Sequence, residues 1–190
     1  DAQGPNLVVS TVGVFGIDAA DGGEAGSCEM VLEAVFANLS PEEKGRAGLF
    51  AFDKTGRLDR RIMLPADGKE HVLGDLAIAR NGDIYTSDSN GATIYRLRAN
   101  GDALESFHAS EEIHSPQGLV LNDRQDELAF ADYSSGIHII DLKTGTRRVL
   151  AMPAHTTLHG IDAVVRLGRD LICVQNGIDP QRIIRIRLNE

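Results

Sequence analysis

Apolar and polar positions alternate along most of this chain in short runs, and the runs recur in sets. Three segments line up: GDLAIARNGDIYTSD from Gly74, QGLVLNDRQDELAFAD from Gln117 and DAVVRLGRDLICVQ from Asp162. They start about 44 residues apart, a period typical of repeat architectures. Each reads as an apolar strand, a polar or glycine-bearing hairpin, and a second apolar strand ending at Asp88, Asp132 or Gln175. Third strands follow as TIYRLRANG, IHIIDLKTG and RIIRIRLN, with an earlier copy in LFAFDKTG; fourth strands follow as RLDRRIML, ALESFHA and TRRVLAM. Four short strands every ~40–50 residues predict an all-β chain, a β-propeller of four-stranded antiparallel blades. About four blades fit the length, and they read as part of a larger ring. A βαβ arrangement would need helices of about 10–15 residues between strands, and none fits here.

Both ends fall inside a blade. NLVVSTVG, from Asn6, fits a second strand with no first strand before it, and the chain stops after a third strand. Residues 1–190 are therefore expected to be one propeller domain, incomplete at both ends. One stretch, residues 18–46, breaks the repeat. DAADGGEAGS reads as loop, and CEMVLEAVFANL places Cys28, Val31, Leu32, Val35, Phe36 and Leu39 on one face of an amphipathic helix over 28–39. Ser40-Pro41-Glu42-Glu43 would cap a further turn. As a connection from a second to a third strand, this insertion shares a face with the starts of the inner strands. It is expected to be a lid or specificity element, or an insertion packed on the rim.

Composition changes little in that picture. The hydrophobic share is 42% and the charged share 25%, ordinary for a folded soluble domain. A net charge of −9 argues against nonspecific nucleic-acid binding and is compatible with a cation site. No apolar run reaches the ~20 residues of a membrane helix, so no membrane partner is expected for this stretch. DAQGPNLVV lacks the basic start and apolar core of a signal peptide, which leaves the compartment open. Cys28 and Cys173 form no CxxC or Cys/His pattern and are expected to be free thiols.

The segments GlyAspLeuAla, SPQGLVL, YTSDSNGATIYRL, AFADYSSGIHIIDLKTG and GIDAVVRL resemble the gluconolactonase/senescence-marker-protein (regucalcin-like) family of six-bladed propellers, over most of residues 48–188. The resemblance implies a divalent cation, often calcium, on the propeller axis, and hydrolysis of a lactone or related ester there. Oxygen ligands at rigid strand ends suit a hard cation that polarises a carbonyl and acidifies water. Carried over by position, the family's aspartate matches Asp162 and one of its asparagines matches Gln117. A second asparagine becomes Gly74, which has no side chain to offer. The resemblance thus implies Asp162 and Gln117 as metal ligands.

Two further sets stand out. His71, His114 and His159 each lie three residues before a strand-start position. Three imidazoles converging from successive blades would make a zinc site with an open position; the competing reading is turn histidines. Asp88 and Asp132 end second strands on the same face, where they would bond the amides of the following turn or, alternatively, serve as catalytic bases. AspGlyGlyGluAlaGly lacks the lysine of a phosphate loop, and no GxSxG elbow occurs. Two functions follow as expectations. One is a metal-dependent hydrolase of a lactone or small ester, with calcium, or zinc as the alternative. The other is a non-catalytic propeller that binds a small molecule or partner at a degenerate metal site.

Overall fold

The structure, a computed structural model, describes residues 7–10, 47–52, 57–152 and 154–188. The expected helix over 28–39, the turn after it and the whole of 18–46 lie outside the described residues, as does Cys28. Among the described residues the chain forms strands and no helix, in four sheets that follow one another along the sequence. The first holds β1 (Leu7–Ser10), β2 (Gly48–Phe52) and β3 (Leu58–Met63). The second holds β4 (Leu73–Ile78), β5 (Ile84–Asp88), β6 (Thr93–Leu97) and β7 (Leu104–Ala109). The third holds β8 (Pro116–Leu121), β9 (Glu127–Asp132), β10 (Gly136–Asp141) and β11 (Arg147–Val149). The fourth holds β12 (Ile161–Leu167), β13 (Asp170–Gln175) and β14 (Arg182–Arg187). Neighbouring strands pair antiparallel in chain order, which is the blade of a propeller.

Local turn chemistry sets each hairpin. Between β4 and β5, Gly82 adopts φ +89° and the Asn81 side chain accepts the Asp83 amide at 3.0 Å. Between β8 and β9 the Asn122 carboxamide accepts the amides of Asp126 and Glu127, at 3.0 and 3.1 Å. Gly168, at φ +58°, turns β12 into β13.

Packing runs between sheets. Leu49, Ile62, Leu73, Ile84 and Leu97 bury together where the first sheet meets the second. Ile94, Leu119, Leu128, Phe130 and Ile140 do so between the second and third. Ala129, Ile137, Ile139, Ile161 and Leu171 do so between the third and fourth. Strand β9 shows the rule: Leu128 and Phe130 face one neighbour, Ala129 and Ala131 the other. A strand buried on both sides reads as a continuous apolar run, which is why LAFA carries no polar alternation.

The inner strands β4, β8 and β12 stand side by side, and β5 reaches β8 as β9 reaches β12. Strand β1 reaches β4 in the same way, so it holds the place of a second strand. Strands β8 and β12 approach closely at Gly118. A Cβ there would stand 2.6 Å from the Val164 nitrogen and 2.7 Å from the Ala163 Cα. Backbone atoms cannot yield as side-chain tips do. Gly118→Ala is therefore expected to destabilise the fold by about 3 kcal/mol, measured by denaturant unfolding, whereas Gly145→Ala, which meets open space but must hold a left-handed φ of +72°, should cost about 1 kcal/mol.

Candidate functional site

Because strands alternate in direction, the loops entering the inner strands and those joining second to third strands meet on one rim. Each inner strand carries a β-bulge at that rim. The ladder skips from Leu73 to Leu76 in β4, from Pro116 to Leu119 in β8 and from Ile161 to Ala163 in β12. The bulged residues are Gly74 and Asp75, Gln117 and Gly118, and Asp162. A bulge frees its residue from the ladder and re-aims the side chain, which suits a binding rim.

The three leading positions are neighbours. A Cβ on Gly74 would lie 3.7 Å from Gln117 Oε1 and 3.4 Å from Ser87 Oγ, ordinary contact distances. Gln117 donates from Nε2 to Ser115 Oγ at 2.9 Å, which leaves its carbonyl oxygen turned over Gly74. Gly118 lies against the backbone of Asp162 and Ala163. Asp162 is exposed and accepts from Asn176 Nδ2 at 3.1 Å, while the Tyr133 hydroxyl donates to Asn176 Oδ1 at 3.3 Å. Asp75, which the sequence reading passed over, ties two blades together: Oδ1 accepts the Leu76 amide at 2.8 Å and Oδ2 the Leu119 amide at 3.2 Å. Its only sequence signal is its place beside Gly74 in a strand otherwise apolar.

Asp88 and Asp132 are fully buried. Asp88 accepts the amides of Val72 and Gly91, each at 2.9 Å, and bonds His71. Asp132 accepts the amides of His114 (2.7 Å) and Ser115 (2.9 Å) on one oxygen. Its other oxygen takes the amides of Ser134 and Ser135, each at 3.0 Å, and the Ser135 hydroxyl. Gln175 holds the same place in the fourth sheet and donates to the carbonyls of Thr157 and His159. All three clamp the loop entering an inner strand. As catalytic bases, Asp88 and Asp132 would first have to release these donors, so the geometry fits the turn-bonding role. Burial alone would raise the Asp132 carboxyl. The His114 and Ser115 amides and the Ser135 hydroxyl outweigh it and hold the group below the usual carboxylate range.

The three rim histidines have different surroundings. His71 is buried, with Nδ1 2.6 Å from Asp88 and Nε2 3.1 Å from Asp67, so both ring nitrogens face carboxylates. His114 and His159 are exposed. Among the described residues, no group of three or more His, Cys, Asp or Glu side chains is placed to hold a metal ion. Of the calcium set that the family resemblance implies, Asp162 and Gln117 offer oxygens at this rim, and Gly74 offers no side chain.

Another cluster was not singled out from the sequence. Arg147 donates to His138 Nδ1 at 2.7 Å, so the imidazole must carry its proton on Nε2 and donate to Ser135 Oγ at 2.8 Å. The hydroxyl in turn donates to Asp132 at 2.9 Å. A serine that accepts a hydrogen bond from its histidine, instead of donating one to it, is not activated as a nucleophile. Burial, with the charges of His108 and His114, lowers the His138 pKa against the pull of Asp132. Cys173 is a free, buried thiol pushed up to about 11 by burial, which makes it unreactive at neutral pH.

No protein-family model matches the sequence, and no curated protein matches it. Solved structures do. A catalytically inactive virginiamycin B lyase from Staphylococcus aureus, with quinupristin, is 14% identical at a TM-score of 0.55, over 77% of this chain and 53% of that one. A nidogen/laminin complex is 16% identical at 0.58, over 75% and 54%. The Pseudomonas aeruginosa periplasmic gluconolactonase is 13% identical at 0.56, over 76% and 47%. The chain spans about half the length of each. At these identities the likeness is one of fold, and the fold is that of a partial β-propeller.

Two outcomes test the clamps. Asp132→Ala leaves several buried donors without acceptors and is expected to cost on the order of 3 kcal/mol in chemical denaturation. For His71, burial pulls the pKa down, but the bonds to Asp88 and Asp67 outweigh it and raise it. A raised folded-state pKa gives stability that is complete below the unfolded value near about 6.5 and is lost as pH rises through the folded value. Unfolding midpoints should therefore fall on the alkaline side of neutrality, and His71→Gln should flatten that limb. A wild-type limb that rises with pH would refute the assignment.

Proposed function

We propose that the rim around Gly74, Gln117 and Asp162 binds a small, oxygen-rich molecule, such as a sugar lactone, without a complete hydrolytic centre. The observation that carries this reading is the set of three bulges, which lift these positions out of the ladder on neighbouring inner strands. They offer a carboxamide oxygen over Gly74 and an exposed carboxylate at Asp162, backed by Asn176 and Tyr133. The absent side chain at Gly74 leaves room for a ligand atom at ordinary contact distance. The buried carboxylates nearby hold loops and are poorly placed to move a substrate proton.

A second reading, hydrolysis of a lactone or small ester assisted by calcium or, alternatively, zinc, draws support from two observations. One is the carboxylate at Asp162. The other is the likeness in fold to a structure described as a periplasmic gluconolactonase. Calcium takes about six to eight oxygens, of which Asp162 and Gln117 would be this rim's share.

Calorimetry separates the two readings. Glucono-δ-lactone is expected to bind saturably with Kd of about 1 mM, roughly tenfold weaker after Asp162→Ala or Gln117→Ala, and to hydrolyse at its uncatalysed rate. Affinity unchanged in both variants would sink the binding reading. Calcium binding that collapses in Asp162→Ala and strengthens in Gly74→Asn would favour the second reading. An intact fold with no calcium heat would end it.

A further inference from the structure

The direction of the Asn176 carboxamide is settled by its neighbours. The Asp162 carboxylate only accepts, so the group 3.1 Å from its Oδ2 is the Asn176 amino group. The Asn176 carbonyl oxygen then faces Tyr133, whose hydroxyl donates to it at 3.3 Å. Tyr133 reaches over from the preceding blade, 43 residues back. Gly177 leaves room for it: a Cβ there would stand 2.5 Å from the Tyr133 hydroxyl oxygen and 2.6 Å from its Cζ. The Gly177 amide donates to the Gly160 carbonyl at 3.0 Å, and the Gly160 amide to the Tyr133 carbonyl at 2.7 Å. These bonds tie the turn that carries Asn176 to the turn that carries Tyr133.

An amide nitrogen has two protons. One is used on Asp162, and the other can be donated, while the carboxylate keeps a second oxygen to accept with. Both residues are exposed. The rim therefore presents a donor and an acceptor side by side at the Asp162 bulge. A hydroxyl group, which donates and accepts at once, satisfies both. A cation suits the carboxylate alone and meets the N–H as a like partial charge. A carbonyl suits the N–H alone.

We propose, resting on the reading of this rim as the site of a small oxygen-rich molecule, that Asn176 is its specificity-determining residue. With Asp162 it selects a neutral polyol by its hydroxyl groups. The hydroxyls of a sugar lactone are recognised here, and its ring carbonyl is not.

The test follows the side-chain amide resonances of Asn176 by NMR, on the whole chain, with three probes. Glucono-δ-lactone has both hydroxyls and a lactone carbonyl, methyl β-D-glucopyranoside has the hydroxyls alone, and δ-valerolactone has the carbonyl alone. The first two are expected to shift these resonances saturably. δ-Valerolactone should bind at least about tenfold more weakly, the loss of a hydrogen bond to a charged group. By calorimetry, Asn176→Asp, which removes the donor, should weaken the glucoside about tenfold. Combining it with Asp162→Asn restores one donor and one acceptor and should recover most of that loss, which a purely structural role would not do. Should either variant fail to fold, the three probes on the unaltered chain still decide. δ-Valerolactone binding as tightly as gluconolactone, with no binding of the glucoside, overturns the selection by hydroxyls and leaves the rim a binding site. Unchanged glucoside affinity in Asn176→Asp, or no recovery in the double variant, overturns it as well. If none of the three binds, the binding reading of the rim falls with it.

Discussion

A buried acceptor or amide at the end of β5, β9 and β13 holds the rim in place. Asp88, Asp132 and Gln175 are fully buried, and each binds the loop that enters its own blade's inner strand. That loop arrives from the previous blade, so the clamp joins two blades as well as two strands. Loop amides left without an acceptor in this setting would carry the full cost of desolvation. The bulges at Gly74, Gln117 and Asp162 begin a few residues beyond the clamped amides of Val72, His114 and Ser115 and the clamped carbonyls of Thr157 and His159.

The same economy explains the acidic balance. An excess of carboxylates is compatible with a cation site, yet much of it is spent on backbone amides. Asp83 accepts the Ala99 amide, Asp141 those of Lys143 and Thr144, Asp67 that of Lys69, and Asp75 spans two blades. Aspartate does this well because its short side chain reaches amides two or three residues on. Asp162 differs in being exposed, its carboxylate accepting from the Asn176 side chain. In the proposed reading it is the rim carboxylate that meets the ligand.

The arginines follow a related rule. In the second sheet Arg96 and Arg98 receive their carboxylate from the neighbouring outer strand, through Glu105. Register, more than local sequence, decides which charges meet, because cross-strand partners lie far apart along the chain.

The fold class was legible in the chain alone. Apolar pairs such as IYTSD and LAFAD, punctuated by asparagine and glycine hairpins at a steady period, leave little besides a blade. The equivalence of Gly74, Gln117 and Asp162 was equally readable, since it is a matter of counting. The bulges at those positions were not legible, because a bulge is a property of pairing between two strands. Nor was the difference between His71, enclosed by Asp67 and Asp88, and the exposed His114 and His159, which share its place in the repeat. Periodicity determined where each residue falls within its blade. Only the packing of blades decided which side chains are buried, which carboxylates are consumed by backbone amides, and which are left for chemistry. Burial and hydrogen-bond partners depend on neighbours about 44 residues away, and a short-range pattern carries no record of them.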